Sequence, residues 1–139
     1  MEEEDKIDRV THGAKHLLLK IKSVKFLDLF PDTIIIDENK VDLAHNYFLK
    51  SREVISVAIQ NITLVTISVV GATASLYFDI KDFEKNPVVM KNFRATDAIK
   101  AKKIITGLKV CFNESVDIRK LETGGNIVKK LEEIGSAHE

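Results

Sequence analysis

The chain has 139 residues, room for one domain with appendages and enough length to bury roughly two-thirds of its unfolded surface. Composition is 45% hydrophobic and 30% charged, and 21 basic residues balance 21 acidic ones, so no global field draws the protein to nucleic acid. A single cysteine, Cys111, excludes an internal disulfide, and no apolar run approaches the roughly 18 residues that span a bilayer.

The opening "MEEEDKIDRV" is acidic and lacks a signal-peptide core. With one thiol and no leader, a cytoplasmic protein is expected, with the inner membrane face as the alternative station. From Ile7 to Val24 the apolar residues Ile7, Val10, Ala14, Leu17, Leu18, Ile21 and Val24 follow the helical period. An N-terminal amphipathic helix is predicted, flanked by Lys15, Lys20 and Lys22. Val10, Leu17, Leu18 and Ile21 are its docking residues, against this domain, a neighbouring copy or a membrane. His12 and His16 share its opposite face but lack the glutamate and cysteines of a zinc set. Pro31 disfavours helix at Phe30, and Pro-Asp reads as a turn.

From Thr33 to Phe93 the period becomes two. Strands are predicted at 33–37, 40–48, 52–59, 62–70, 73–80 and 87–93, rich in Val, Ile, Thr, Tyr and Phe. Their short connections, "DENK", "LKS", "QN", "GA" and "KDFEKN", imply antiparallel meander pairing. The stretch "TIIIDENKVDLAH" gathers Asp37, Glu38, Asp42 and His45 beside an isoleucine run. Pairing Ile36 with Val41 sets Ile34 opposite Leu43 and sends all four to one face. Lys40 then lies beside Asp37 and Asp42, while His45 falls on the other face from Asp42. A hairpin turn is expected there, not a ligand cage.

"RATDAIKAKKIITGLKVCF" follows as an amphipathic helix, with Thr96 as N-cap and Asp97 in the first turn. Ala98, Ala101, Ile105, Leu108 and Phe112 form its stripe, widened by Ile104 and Cys111. Arg94, Lys100, Lys102, Lys103 and Lys109 are placed on its outer side, as a solvated face or an anion and membrane patch. A short helix is predicted after Gly124–Gly125, capped by Asn126 and stopped at Gly135, with Ile127, Leu131 and Ile134 on one side.

Strands followed by one capping helix, together with the pattern of Arg52, Val54, Ile55, Val57, Ile59, Asn61, Ile62 and Val65, resemble the bacterial pleckstrin-homology-like families. "NPVVMKNFRATDAIKAKKIITGL" resembles their last strand and capping helix, and the likeness covers about residues 32–112. It implies a mainly β, α+β fold: a small antiparallel barrel or sandwich of six to seven strands closed by a C-terminal helix. The expected organisation is an N-terminal helical extension, 1–31, the barrel, 32–112, and a tail with a short helix, 113–139. Only Gly71 stands where the families often carry Gly-x-Gly before the fifth strand. Phosphoinositide-binding members of the wider fold place basic residues on a longer first hairpin loop. "DENK", read as that loop, is acidic and tight, so inositol-phosphate binding is not expected to carry over.

No nucleophile with an activating base, phosphate-cradling glycine loop or metal set is legible. No catalytic, cofactor-binding or metal-binding residue is therefore expected, and no small-molecule substrate is identified. With 6% aromatics and no Trp, nucleic-acid stacking is not expected either. The leading expectation is a non-catalytic interaction module that binds a protein partner or itself, with homo-oligomers among the outcomes. The alternative is a peripheral adaptor on anionic lipid, and the bacterial relatives' habit of assembling favours the first.

Overall fold

The computed structural model describes residues 17–24, 30–47, 51–118, 120–121 and 126–139. Among these residues the elements are β1 (Leu17–Lys22), β2 (Thr33–Asp37), β3 (Lys40–Asn46), β4 (Arg52–Ala58), β5 (Ile62–Val70), β6 (Thr73–Ile80), β7 (Val88–Arg94), α1 (Ala95–Asn113) and α2 (Ile127–Ala137). The strands make two antiparallel sheets, ordered β1-β2-β3-β4 and β5-β6-β7.

β1 corrects the predicted N-terminal helix over its last third. Leu19 pairs with Ile36 and Ile21 with Ile34, so Leu17, Leu18 and Ile21 belong to a strand. Short apolar runs satisfy either period, and here the free edge of β2 decides the matter. Ile21 turns inward and is 4% exposed, whereas Lys20 and Lys22 turn to water. Val10, His12 and His16 lie outside the described residues. The barrel therefore takes in Leu17–Lys22, which the expected boundary at residue 32 leaves out. It follows that the first hairpin is β1–β2, connected by residues 23–32, and "DENK" joins the second pair. The acidic "DENK" turn therefore lies away from the first hairpin loop and does not bear on phosphoinositide binding there.

The β2–β3 register is the expected one: Ile36 opposes Val41 and Ile34 opposes Leu43. All four side chains are fully buried, because alternation sends them to one face. Asp37 Oδ1 accepts from the backbone N–H groups of Asn39 and Lys40, 2.8 Å each, which tightens the turn. Lys40 Nζ reaches Asp42 at 3.7 Å. The candidate ligands are thus the polar fittings of a hairpin.

In the second sheet, Leu76, Phe78, Met90 and Phe93 fill the core, each fully buried. β5 and β6 meet at Gly71, whose φ of 62° suits the first central position of a two-residue hairpin turn. Asn86 closes the β6–β7 connection with its side-chain amide, which accepts from Ile80 N–H (2.9 Å) and donates to Ile80 O (2.7 Å). Between Ala74 and Leu76 the register of β7 slips, and Asn92 adopts a φ of 66°. This bulge leaves the Asn92 carbonyl to accept from Val24 N–H at 2.6 Å. The two sheets are thereby tied where β1 leads out beside β7.

α1 begins two residues earlier than expected. Arg94, not Thr96, is its N-cap, and no side chain caps it. β7 runs straight into the helix, and Ala95 N–H bonds to Ala72 O at 2.9 Å, so a separate capping residue has no gap to fill. Ala98, Ala101, Ile104, Ile105, Leu108 and Cys111 are buried, but Phe112 is 56% exposed and leaves the predicted stripe. The helix ends with Val116 N–H bonded to Cys111 O at 2.8 Å, and Ser115 takes the left-handed position with a φ of 54°.

α2 is capped by Asn126 as expected, its side chain accepting from Val128 N–H at 3.0 Å. It does not stop at Gly135 but continues to Ala137. Gly135 is a packing residue: a Cβ there would overlap the backbone carbonyl of Lys103. Gly107 on α1 is its counterpart, lying against the carbonyl of Leu131. Two glycines bring the helix backbones together, and Leu131 is fully buried as part of the core. α2 thus completes the domain instead of trailing from it.

Candidate interaction surfaces

The predicted basic strip on α1 is dispersed by this packing. Arg94 and Lys100 line a groove of about 730 Å³ that also holds Lys20, Lys22 and Asp97. Thr33 of β2 and Asn46 of β3 border the same groove. Lys100 pairs with Glu132 of α2 at 3.6 Å. Lys103 packs through its backbone under Gly135. Lys102 and Lys109 line a separate groove of about 470 Å³ beside Thr63, Leu64 and Val65 of β5. Lys109 Nζ donates to Thr63 O at 3.2 Å, and burial holds its pKa below the usual lysine range. The five residues therefore serve different surfaces. Lys20 and Lys22, first read as flanks of a helix, join two of them in the basic groove.

At the end of that groove Ser23, Pro31 and Asp32 are held to each other and to the sheet. Asp32 Oδ1 accepts from Asn46 N–H at 3.0 Å, and Oδ2 meets His45 Nδ1 at 3.1 Å. Ser23 and Asp32 exchange backbone and hydroxyl bonds of 2.9 and 2.8 Å. Asn46 Nδ2 donates to Pro31 O at 2.6 Å. His45 also stacks beside Tyr47, with ring centroids 6.2 Å apart. These bonds fix the mouth of the first hairpin.

A third groove, about 600 Å³, lies by the second hairpin and the end of α1, with Ile59, Leu108, Phe112 and Val116 next to Glu38 and Asp117. Cys111 is buried nearby in the helix packing, and desolvation raises its pKa above the ordinary thiol range. Among the described residues no group of three His, Cys, Asp or Glu side chains is close enough to hold a metal. No helix among them is long and apolar enough to cross a membrane.

The exposed apolar residues have their own distribution. Val54 on β4 is 46% exposed, while Leu64, Val69 and Val70 on β5 are 55%, 48% and 76% exposed. Among the described residues β4 and β5 are edge strands of their sheets, each paired with a strand on one side only. The period of two locates both strands in the sequence but does not say which strands become edges, so this surface was not legible there.

No protein-family model matches the chain, and no curated protein matches it. Solved structures do. A DUF1696 family protein with a pleckstrin-homology domain from Shewanella loihica PV-4 is similar over 78% of this chain and 95% of its own, at 19% identity and a TM-score of 0.52. A pleckstrin homology domain from Shewanella amazonensis SB2B is similar over 76% of this chain and 86% of its own, at 18% identity and a TM-score of 0.55. At such identities the likeness carries the fold alone. That fold is the pleckstrin-homology-like one which the sequence resemblance implies.

Proposed function

We propose that this chain is a non-catalytic binding module that acts through protein–protein contact, with a second copy of itself as a partner. The observation that carries the reading is the exposure of Val54, Leu64, Val69 and Val70 on the two edge strands β4 and β5. Edge strands offer unpaired backbone groups to another chain, and apolar side chains beside them add area. Among the described residues His45 and Asp32 form a close pair. The carboxylate is engaged with His45 and a backbone amide of β3, which fixes Asp32 beside that strand. Light scattering coupled to size exclusion tests the reading. The expected result is a mass above the 15.6 kDa of one chain that grows with concentration. One chain's mass at every concentration removes self-association.

A second reading rests on the basic groove. Among the described residues, Lys20, Lys22, Arg94 and Lys100 line it with Asp97, and although Glu132 engages Lys100, the basic excess favours an anionic membrane surface. Co-sedimentation with vesicles is expected to show binding to anionic, not neutral, lipid, weakened by salt. No binding to anionic vesicles at low salt rejects this second reading.

A further inference from the structure

Among the described residues four strands stand at sheet edges: β1, β4, β5 and β7. Three of them carry charge. β1 has Lys20 and Lys22, β4 has Arg52 and Glu53, and β7 has Lys91 and Arg94. Charged side chains on an edge are how folded proteins keep other strands away. β5, "ITLVTISVV", has no charged residue along nine positions, in a chain that is 30% charged. Its first turn of edge is covered, because Thr63 O already accepts from Lys109. Leu64–Val70 is the uncharged part that remains.

We infer that Leu64–Val70 pairs antiparallel with the same segment of a second copy, about a two-fold axis at Ile67. This rests on the self-association reading and names its surface. The occupant follows from the side-chain order. Reversed about Ile67, the segment has the same chemical pattern: apolar, apolar, hydroxyl, apolar, hydroxyl, apolar, apolar. In β6, Val65, Ile67 and Val69 oppose the buried Phe78, Leu76 and Ala74, so these three lie on the core side. Leu64, Thr66, Ser68 and Val70 oppose Asp79, Tyr77, Ser75 and Thr73, on the outer side. Two-fold pairing sets Val65 opposite Val69 and Ile67 opposite its own copy on the core side. On the outer side it sets Leu64 opposite Val70 and Thr66 opposite Ser68. Every apolar residue meets an apolar one, and each hydroxyl meets a hydroxyl, which are favourable cross-strand pairs. No like charges meet along the paired segments, and the symmetric contact closes after two copies. The two 3-stranded sheets become one continuous sheet across the axis.

The test uses the full chain and two charge variants. Thr66 and Ser68 are exposed, so Thr66→Lys with Ser68→Lys leaves the core untouched. In the inferred register each new lysine faces another, and association is expected to weaken roughly tenfold or more. Thr66→Glu with Ser68→Glu weakens it likewise. Mixing the two variants pairs lysine with glutamate and is expected to restore a dimer that neither forms alone. Circular dichroism of each variant checks that the fold is kept. If the parent associates but the double-lysine variant associates equally well, the β5 surface is wrong while self-association stands. A parent that stays monomeric at every concentration overturns both, as does capture of a foreign strand in place of a second copy. Restoration on mixing supports the stated register.

Discussion

Replacing Gly107 by alanine probes the contact that seats α2 on α1. In an isolated helix the change is favourable by about 1 kcal/mol, since alanine is the better helix former. In this chain the added Cβ points at the backbone carbonyl of Leu131, which cannot rotate aside as a side-chain tip could. Either α2 shifts as a unit or it undocks. A shift within packed surroundings costs about 1–3 kcal/mol. Undocking exposes Leu131, now fully buried, whose burial alone is worth about 1.5–3 kcal/mol, and uncovers the half-buried Ile127, Val128 and Ile134. With the propensity gain subtracted, a net loss of about 0–2 kcal/mol is expected in place of the isolated-helix gain. Urea unfolding measures the loss, and amide hydrogen exchange over 127–137 locates it by faster exchange in α2. Gly135→Ala, which meets Lys103 O, should behave alike. A stability gain near the bare propensity value, with α2 exchange unchanged, would refute the reasoning.

Asp32→Ala removes the acceptor for both Asn46 N–H and His45, and is expected to cost about 1–3 kcal/mol in urea unfolding. Asn92→Val forces a β-branched residue into the left-handed region and should cost at least about 1–2 kcal/mol, whereas Asn92→Gly should be tolerated. Burial raises the Cys111 pKa, so thiols of folded and unfolded chains are both neutral at lower pH. As pH rises above the ordinary thiol range the unfolded chain ionises first, and this group's contribution to stability is lost. The difference in unfolding midpoint between the parent and Cys111→Ala should therefore change in that alkaline window and stay constant below it.

Where one local rule acted alone, the sequence was a good guide. Ile34, Ile36, Val41 and Leu43 leave one register without burying Asp42, and that register is observed. Asn126 caps α2 because an asparagine before an apolar period has few better roles. Misreadings arose where a distant element decided the outcome. Leu17–Lys22 satisfies a helix period, but the edge of β2 recruits it as a strand. Gly135 reads as a stop until a second helix makes its missing side chain a requirement. The lysines of α1 share a strip on a helical projection, yet α2, β5 and the first hairpin divide them among three environments. The apolar strand edge depends on sheet order, which no single strand encodes.

The bulge at Asn92 gives the barrel a directional strength. One seam, where Val24 meets β7, is stitched by a backbone bond; among the described residues no such bond joins β4 to β5. Opening under force or denaturant is expected to begin at the unstitched side. A second copy seated on β5 would splint that weak side. Partner binding and resistance to unfolding then become one quantity, and the melting temperature should climb with protein concentration.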